Sequence, residues 1–277
     1  NMKILYQGTE GAYSQLAAIE VYPKATTVSC KTFEECFKNC VDDENLKTII
    51  PVENSIAGRV ADIQYLMNKY KLQIYAEHFH KVSHNLMSLP GVNIKDLKSV
   101  RSHSQAISQC QKIIMENNLE PIIAADTAGS AKFISDNLKK DEAAIASSLA
   151  AKIYKLNILK NNIEDDNKNV TRFLIMGKKA DHPEFDKKKY ITSCIFKVKD
   201  KPAALYKCLG GFATNNISLS KLESFSDQSS FEQYLFLCDI VGHIEDLGVQ
   251  KSLEELGFHT VSLNILGVYK ASPFRNI

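Results

Sequence analysis

Four short segments carry residue types suited to holding small anions: Gly8-Thr9-Glu10-Gly11-Ala12-Tyr13-Ser14, Glu53-Asn54-Ser55-Ile56-Ala57-Gly58, Ser102-His103-Ser104-Gln105 and Asp126-Thr127-Ala128-Gly129-Ser130. Each sits between a strand-like run and a helix-like one. A helix start offers free N–H groups, the positive end of the helix dipole and a nearby hydroxyl, all favourable to a carboxylate or phosphate. Taken singly, each reads more simply as an N-cap, since Ser, Thr, Asp and Asn are the preferred capping residues. Four in successive units point to a shared crevice between two lobes, because ligands of open α/β sheets collect at the carboxyl ends of strands. The Gly8 segment lacks both the Gly-Lys-Ser/Thr ending of a phosphate loop and the spacing of a dinucleotide fingerprint, which argues against nucleotide. In a fifth segment, Asn169-Val170-Thr171-Arg172-Phe173, an arginine stands inside an apolar run. Such a guanidinium either leaves for solvent or meets an anion, because burying it unpaired is costly. His78, His80 and His84 come without a matching Cys or carboxylate cluster, so no metal is expected, and no Gly-x-Ser-x-Gly elbow anchors an acyl-transfer triad.

The chain that must position these residues has 277 of them, enough for about two domains. With 34 Lys plus Arg against 32 Asp plus Glu, its net charge of +2 gives no broad basic surface for nucleic acid, so any cation serving a ligand acts locally. The seven cysteines are odd in number, scattered and free of Cys-x-x-Cys pairs, which predicts reduced thiols; Cys36 and Cys40, at helical spacing, read as packing residues. No run of about 18 apolar residues predicts a membrane span, and the opening residues lack a leader-like pattern, so the expected location is cytoplasmic.

Periodicity predicts strands at Lys3–Tyr6, Thr48–Val52, Leu72–His78, Pro121–Ala125 and Val170–Met176. Helices are predicted at Tyr13–Tyr22, Ala61–Tyr70, Gln105–Asn117, Gly129–Asn137 and Ala143–Tyr154. This alternation predicts an α/β domain over residues 2–178, with one lobe at about 2–80 plus 168–178 and a second at about 81–167. A lysine-rich, Pro183-containing linker at 179–189 follows. Residues 190–272 then read as βαββαβ, the ferredoxin-like arrangement.

The ordered motifs make the family recognisable. The chain resembles a monofunctional prephenate dehydratase through the Gly8–Ser14 loop, Pro51-Val52-Glu53-Asn54-Ser55-Ile56-Ala57-Gly58, Ser83-His84-Asn85-Leu86-Met87, Ser102-His103-Ser104-Gln105-Ala106, Asp126-Thr127-Ala128 and, above all, Thr171-Arg172-Phe173. Ser104 stands where the family usually has Pro. The resemblance implies a catalytic domain like type II periplasmic binding proteins, followed by an ACT regulatory domain. It implies decarboxylative dehydration of prephenate to phenylpyruvate, without a cofactor. Thr171 would be the proton donor. Arg172 would hold a substrate carboxylate, Phe173 would line the apolar wall, and Ser14, Asn54, Ser55 and Thr127 would add hydrogen bonds. Glu53, an anion beside a dianionic substrate, fits a structural or water-positioning role. No mutase-like helical segment precedes Lys3, so the monofunctional form is expected.

In the ACT domain the resemblance places an L-phenylalanine effector near Ala203, Ala204, Leu205, Asn216, Ser218, Leu219, Glu223 and Ser224. Three departures stand there: Ala203 for a Gly, Ser218 for an Asn, and Phe225-Ser226 for Arg-Pro. Weakened inhibition or altered selectivity is the expectation, in a homodimer or homotetramer. The alternatives are an arogenate dehydratase, acting on the amino counterpart of the substrate, and a non-catalytic small-anion binding protein.

Overall fold

The computed structural model describes residues 2–60, 63–228 and 234–276. Its first part runs β1 (Lys3–Gln7), α1 (Tyr13–Val21), β2 (Thr26–Cys30), α2 (Phe33–Asp42), β3 (Leu46–Asn54), β4 (Gly58–Arg59), α3 (Ile63–Tyr70) and β5 (Gln73–Lys81). The predicted helix start at Ala61 lies outside the described residues. The chain then leaves this sheet for β6 (Asn85–Ser88), β7 (Ser99–His103), α4 (Ser104–Ser108), α5 (Gln111–Glu116), β8 (Glu120–Ala124), α6 (Thr127–Asp136), β9 (Glu142–Ala146), α7 (Ser148–Ile153) and β10 (Asn157–Lys160). It returns as β11 (Val170–Gly177). The first sheet has the order β2-β1-β3-β11-β5, with β4 on β3, and the second β10-β6-β9-β7-β8. This is the two-sheet type II arrangement, and its double crossing delivers the Thr171 segment to the middle of the first sheet.

Two expectations are corrected. Ala143–Ala146 is strand β9 rather than the start of a helix. It runs between β6 and β7, with Ala143 and Ile145 entering one apolar core and Ala144 and Ala146 another. Burial on both faces outweighs alanine's helix propensity of a few tenths of a kcal/mol per residue. The expected helix Gln105–Asn117 is broken at Gln109–Cys110. There Asp165 caps the second piece, accepting from the N–H groups of Gln111 (2.7 Å) and Lys112 (3.1 Å), while its own N–H donates to the Gln109 carbonyl (2.7 Å). The elements β2, α2, β4, β6, β7 and β10 add to the predicted set.

The last part is β12 (Tyr190–Val198), α8 (Ala204–Thr214), β13 (Leu219–Ser226), β14 (Tyr234–Val241), α9 (Leu247–Phe258) and β15 (Thr260–Lys270). Its antiparallel sheet, ordered β13-β14-β12-β15, has the βαββαβ connection expected. Cys194, Phe196, Cys238 and Ile240 of the sheet pack with Cys208, Phe212, Val249 and Leu256 of the helices. All seven cysteines are buried and none is in a disulfide.

By packing, the chain divides into two compact units, residues 1–36, 48–60 and 79–173, and residues 37–47, 61–78 and 174–277. The first contains every strand of the second sheet and the Thr171 segment. Within the second unit, α3 and β5 pack against the C-terminal sheet: Gln64 donates to Glu223 (2.8 Å), and the bare Cα of Gly267 admits the Ile74 carbonyl, which would lie 2.6 Å from a Cβ there. Among the described residues, no helix is long and apolar enough to cross a membrane.

Candidate active site

The end of β3 and the start of β11 run side by side. The Ser55 N–H donates to the Val170 carbonyl (2.9 Å), the Val170 N–H donates to Ser55 Oγ (2.9 Å), and Ser55 Oγ donates to the Lys168 carbonyl (2.8 Å). Ser55 therefore spends its hydroxyl as both donor and acceptor in aligning the two strands. With Ser55 opposite Val170, Asn54 stands opposite Thr171 and Glu53 opposite Arg172. Because successive side chains of a strand point to opposite faces, Thr171 and Asn54 share one face while Arg172 and Glu53 share the other.

On the first face, Asn54 Nδ2 donates to Thr171 Oγ1 (2.9 Å) and to Asn169 Oδ1 (2.7 Å). Asn54 Oδ1 accepts from the N–H groups of Ile56 (3.0 Å) and Ala57 (2.9 Å), which fixes which end of the amide faces the threonine. Thr171 is half-buried and receives a hydrogen bond, so its own O–H is aimed elsewhere. Asn169, only 1% exposed, passes the pattern on by donating to Gln109 Oε1 (2.8 Å). Gln109 was not among the predicted site residues. A sequence reading that runs the helix through it hides its position, the C-cap of α4.

On the other face, Arg172 is 2% exposed, with Nη1 3.4 Å from Glu53 Oε1 and its guanidinium carbon 6.0 Å from the Phe79 ring centre. The guanidinium is thus buried beside a resident carboxylate rather than turned to solvent. Phe173, also 2% exposed, lies edge-on to His80 at 6.3 Å in the packed interior.

The remaining candidates stand at helix starts. Ser14 is half-buried in the first turn of α1, a helix without a side-chain cap. Thr127 opens α6, whose cap is Asp126; that carboxylate also accepts from Thr9 (3.2 Å). The Gly8–Ser14 loop is held by Ser147, which donates to the Gly11 carbonyl (2.6 Å), and by Tyr154, which donates to the Glu10 carbonyl (2.7 Å). Gly11 has φ +94°, and a Cβ there would fall 2.8 Å from Ala150 Cα, so this glycine is required by both conformation and space.

The profile of the prephenate dehydratase family matches residues 4–181. The chain belongs to the prephenate dehydratase family. It is 39% identical, over 98% of its length and 97% of the relative's, to a bifunctional N-acyl-homoserine lactone acylase/prephenate dehydratase of Komagataeibacter europaeus. It is 36% identical to arogenate dehydratase/prephenate dehydratase 1, chloroplastic, of Arabidopsis thaliana, over 97% of this chain and 72% of that one. The prephenate dehydratase of Arthrobacter aurescens, solved in complex with L-Phe, superimposes with a TM-score of 0.91 at 26% identity, over 99% and 91% of the two chains. Members of this family are lyases of aromatic amino-acid biosynthesis.

Within one chain the residues expected around an effector stand at the start of α8, in the loop after it and on β13. Ala203, Ala204 and Leu205 line a cavity of about 470 Å³ together with Lys197, Lys199, Lys201 and Phe236. Ala203 keeps a glycine-like backbone, φ +58°, at a cost of roughly 1 kcal/mol for an L residue. Asn216 also has a left-handed backbone (φ +55°) and, like Ser218, is exposed, while Leu219 opens β13. Glu223 turns to α3, bonded to Gln64 and 3.4 Å from Lys221, and the exposed Ser224 lies on the opposite face of β13.

Proposed function

We propose that the chain catalyses the decarboxylative dehydration of prephenate, with Thr171 protonating the departing hydroxyl. The observation that carries this reading is the Asn54 N–H aimed at Thr171 Oγ1. Accepting that bond draws electron density from the oxygen, makes the hydroxyl a better acid and leaves its proton for a partner on the substrate side. As the ring carboxylate leaves as carbon dioxide, the electron pair of its C–C bond enters the ring and the C–O bond breaks. The hydroxyl takes the Thr171 proton to depart as water, and the threonine regains a proton from solvent. Ser14 and Thr127, with their helix-start N–H groups, supply anion contacts. Arg172 supports the site from the opposite face, where it fixes Glu53.

Phenylpyruvate formation, read by its absorbance at alkaline pH, tests the assignment. Thr171→Ala is expected to lose about a hundredfold to ten-thousandfold in kcat, the usual contribution of a positioned proton donor. Turnover within about threefold of wild type in a folded variant would remove Thr171 from the role. Relatives named for arogenate make kcat/KM on both substrates the second measurement.

Residues 190–272 we assign as an ACT regulatory domain, joined by the linker 179–189 to a catalytic domain at 2–178. The Arthrobacter relative's complex with L-Phe and the cavity beside Ala203 support an amino-acid effector here, and β13, at a sheet edge, supports assembly as a homodimer or homotetramer. A titration of activity with phenylalanine, tyrosine and leucine checks the effector.

A further inference from the structure

The hydrogen-bond chain behind Thr171 does not stop at Gln109. The same Oε1 that accepts from Asn169 lies 2.8 Å from Nε2 of His84. A carbonyl oxygen has only lone pairs to offer, so Nε2 must carry the proton. Nδ1 is then the acceptor, and 2.7 Å from it stands the hydroxyl of Tyr13, which reaches the Ser83 carbonyl at 3.2 Å as well. His84 is 3% exposed, and burial holds its pKa below the ordinary histidine value, consistent with a neutral ring.

We propose that His84 and Tyr13 are positioning residues for the dehydration, acting through Gln109, Asn169 and Asn54 on the hydroxyl of Thr171. The inference rests on the reading of Thr171 as proton donor. Its logic is that the network is pinned at both ends. Were the imidazole proton on Nδ1, the Nε2 lone pair would face Gln109 Oε1, and relief would turn the Gln109 amide. Its NH₂ would then oppose Asn169 Nδ2, turning Asn169, whose NH₂ would in turn oppose Asn54 Nδ2. Asn54 cannot follow, because its Oδ1 is held by the N–H groups of Ile56 and Ala57. The pinned amides thus select the tautomer with Nδ1 bare, and the single proton of the Tyr13 hydroxyl, which could otherwise go to the Ser83 carbonyl, is donated to it across the shorter contact.

The test is a set of double-mutant cycles. His84→Ala is expected to lower kcat about tenfold to a hundredfold with KM changed less than about threefold, and Tyr13→Phe to lower it about threefold to tenfold, because on this proposal both act only through the chain to Thr171. His84→Gln, which can present an N–H near the Nε2 position, should recover most of the loss. In the Thr171→Ala background, either variant should cost less than about twofold, since the group being positioned is gone. An undiminished loss in that background, or an effect confined to KM, overturns the proposal. Wild-type turnover by Thr171→Ala alone instead overturns the proton-donor reading beneath it. Should His84→Ala not fold, Tyr13→Phe carries the same cycle with one oxygen removed.

Discussion

At the scale of single residues, the site turns on which atom of one amide faces one hydroxyl. Asn54→Asp keeps an acceptor for the Ile56 and Ala57 N–H groups, so the turn survives. It replaces the N–H aimed at Thr171 by a lone pair, and the threonine proton is then drawn to the carboxylate. The expected loss in kcat is about a hundredfold or more, the scale of a disabled proton donor. A kcat near wild type for this variant would show that the polarity of the bond is immaterial. His84 gives a pH prediction of definite sign. Its folded pKa lies below the unfolded value of about 6.5, so the unfolded chain binds more protons. Its contribution to stability is present above that value and is lost as pH falls toward the folded pKa. Urea midpoints of wild type should therefore decline more steeply between pH 7 and about 5.5 than those of His84→Gln. That Thr171 and Asn54 come together was legible in the sequence because both lie in ordered motifs. The burial of Arg172 beside Glu53 was not, because a residue's type does not say which face of a strand it takes; that follows from the pairing of Ser55 with Val170.

At the scale of elements, what sequence periodicity sees well is a face exposed on one side, as in β13 or α8. Ala143–Ala146 defeats it, since a strand buried on both faces has no alternation and alanine favours a helix. The break after α4 defeats it for a different reason. The residue that makes the break, Asp165, is 54 positions beyond Gln111 in sequence. Removing that cap with Asp165→Ala is expected to cost about 1 kcal/mol in stability, the ordinary value of a side-chain N-cap. Because Gln109 sits at the broken end, with its carbonyl bonded to the Asp165 N–H, the same variant should also lower kcat. Stability and kcat both unchanged would mean that the break is intrinsic to the local sequence.

At the scale of the whole molecule, the near balance of charge leaves little long-range field, and the ion pairs that matter are local. One of them closes the second compact unit. Beyond β15 the chain turns back, and Arg275 grips Glu77 of β5 through Nε (2.8 Å) and Nη2 (3.0 Å), while the Ser272 N–H donates to the same carboxylate (2.8 Å). The Glu77 side chain is 0% exposed and the Arg275 side chain 13%. Removing one partner of such a pair strands a charge away from water, which typically costs about 3–5 kcal/mol, whereas replacing both by apolar residues of similar volume is often neutral. Arg275→Ala should therefore lower the urea midpoint by the equivalent of about 3 kcal/mol, the lower end of that range because the Ser272 N–H stays in place. Glu77→Met combined with Arg275→Met should recover most of it. If the single variant is as stable as wild type, the C-terminal segment does not hold β5 to the C-terminal sheet. If the double variant falls as far as the single one, the pair acts through its specific hydrogen bonds rather than through relief of a buried charge.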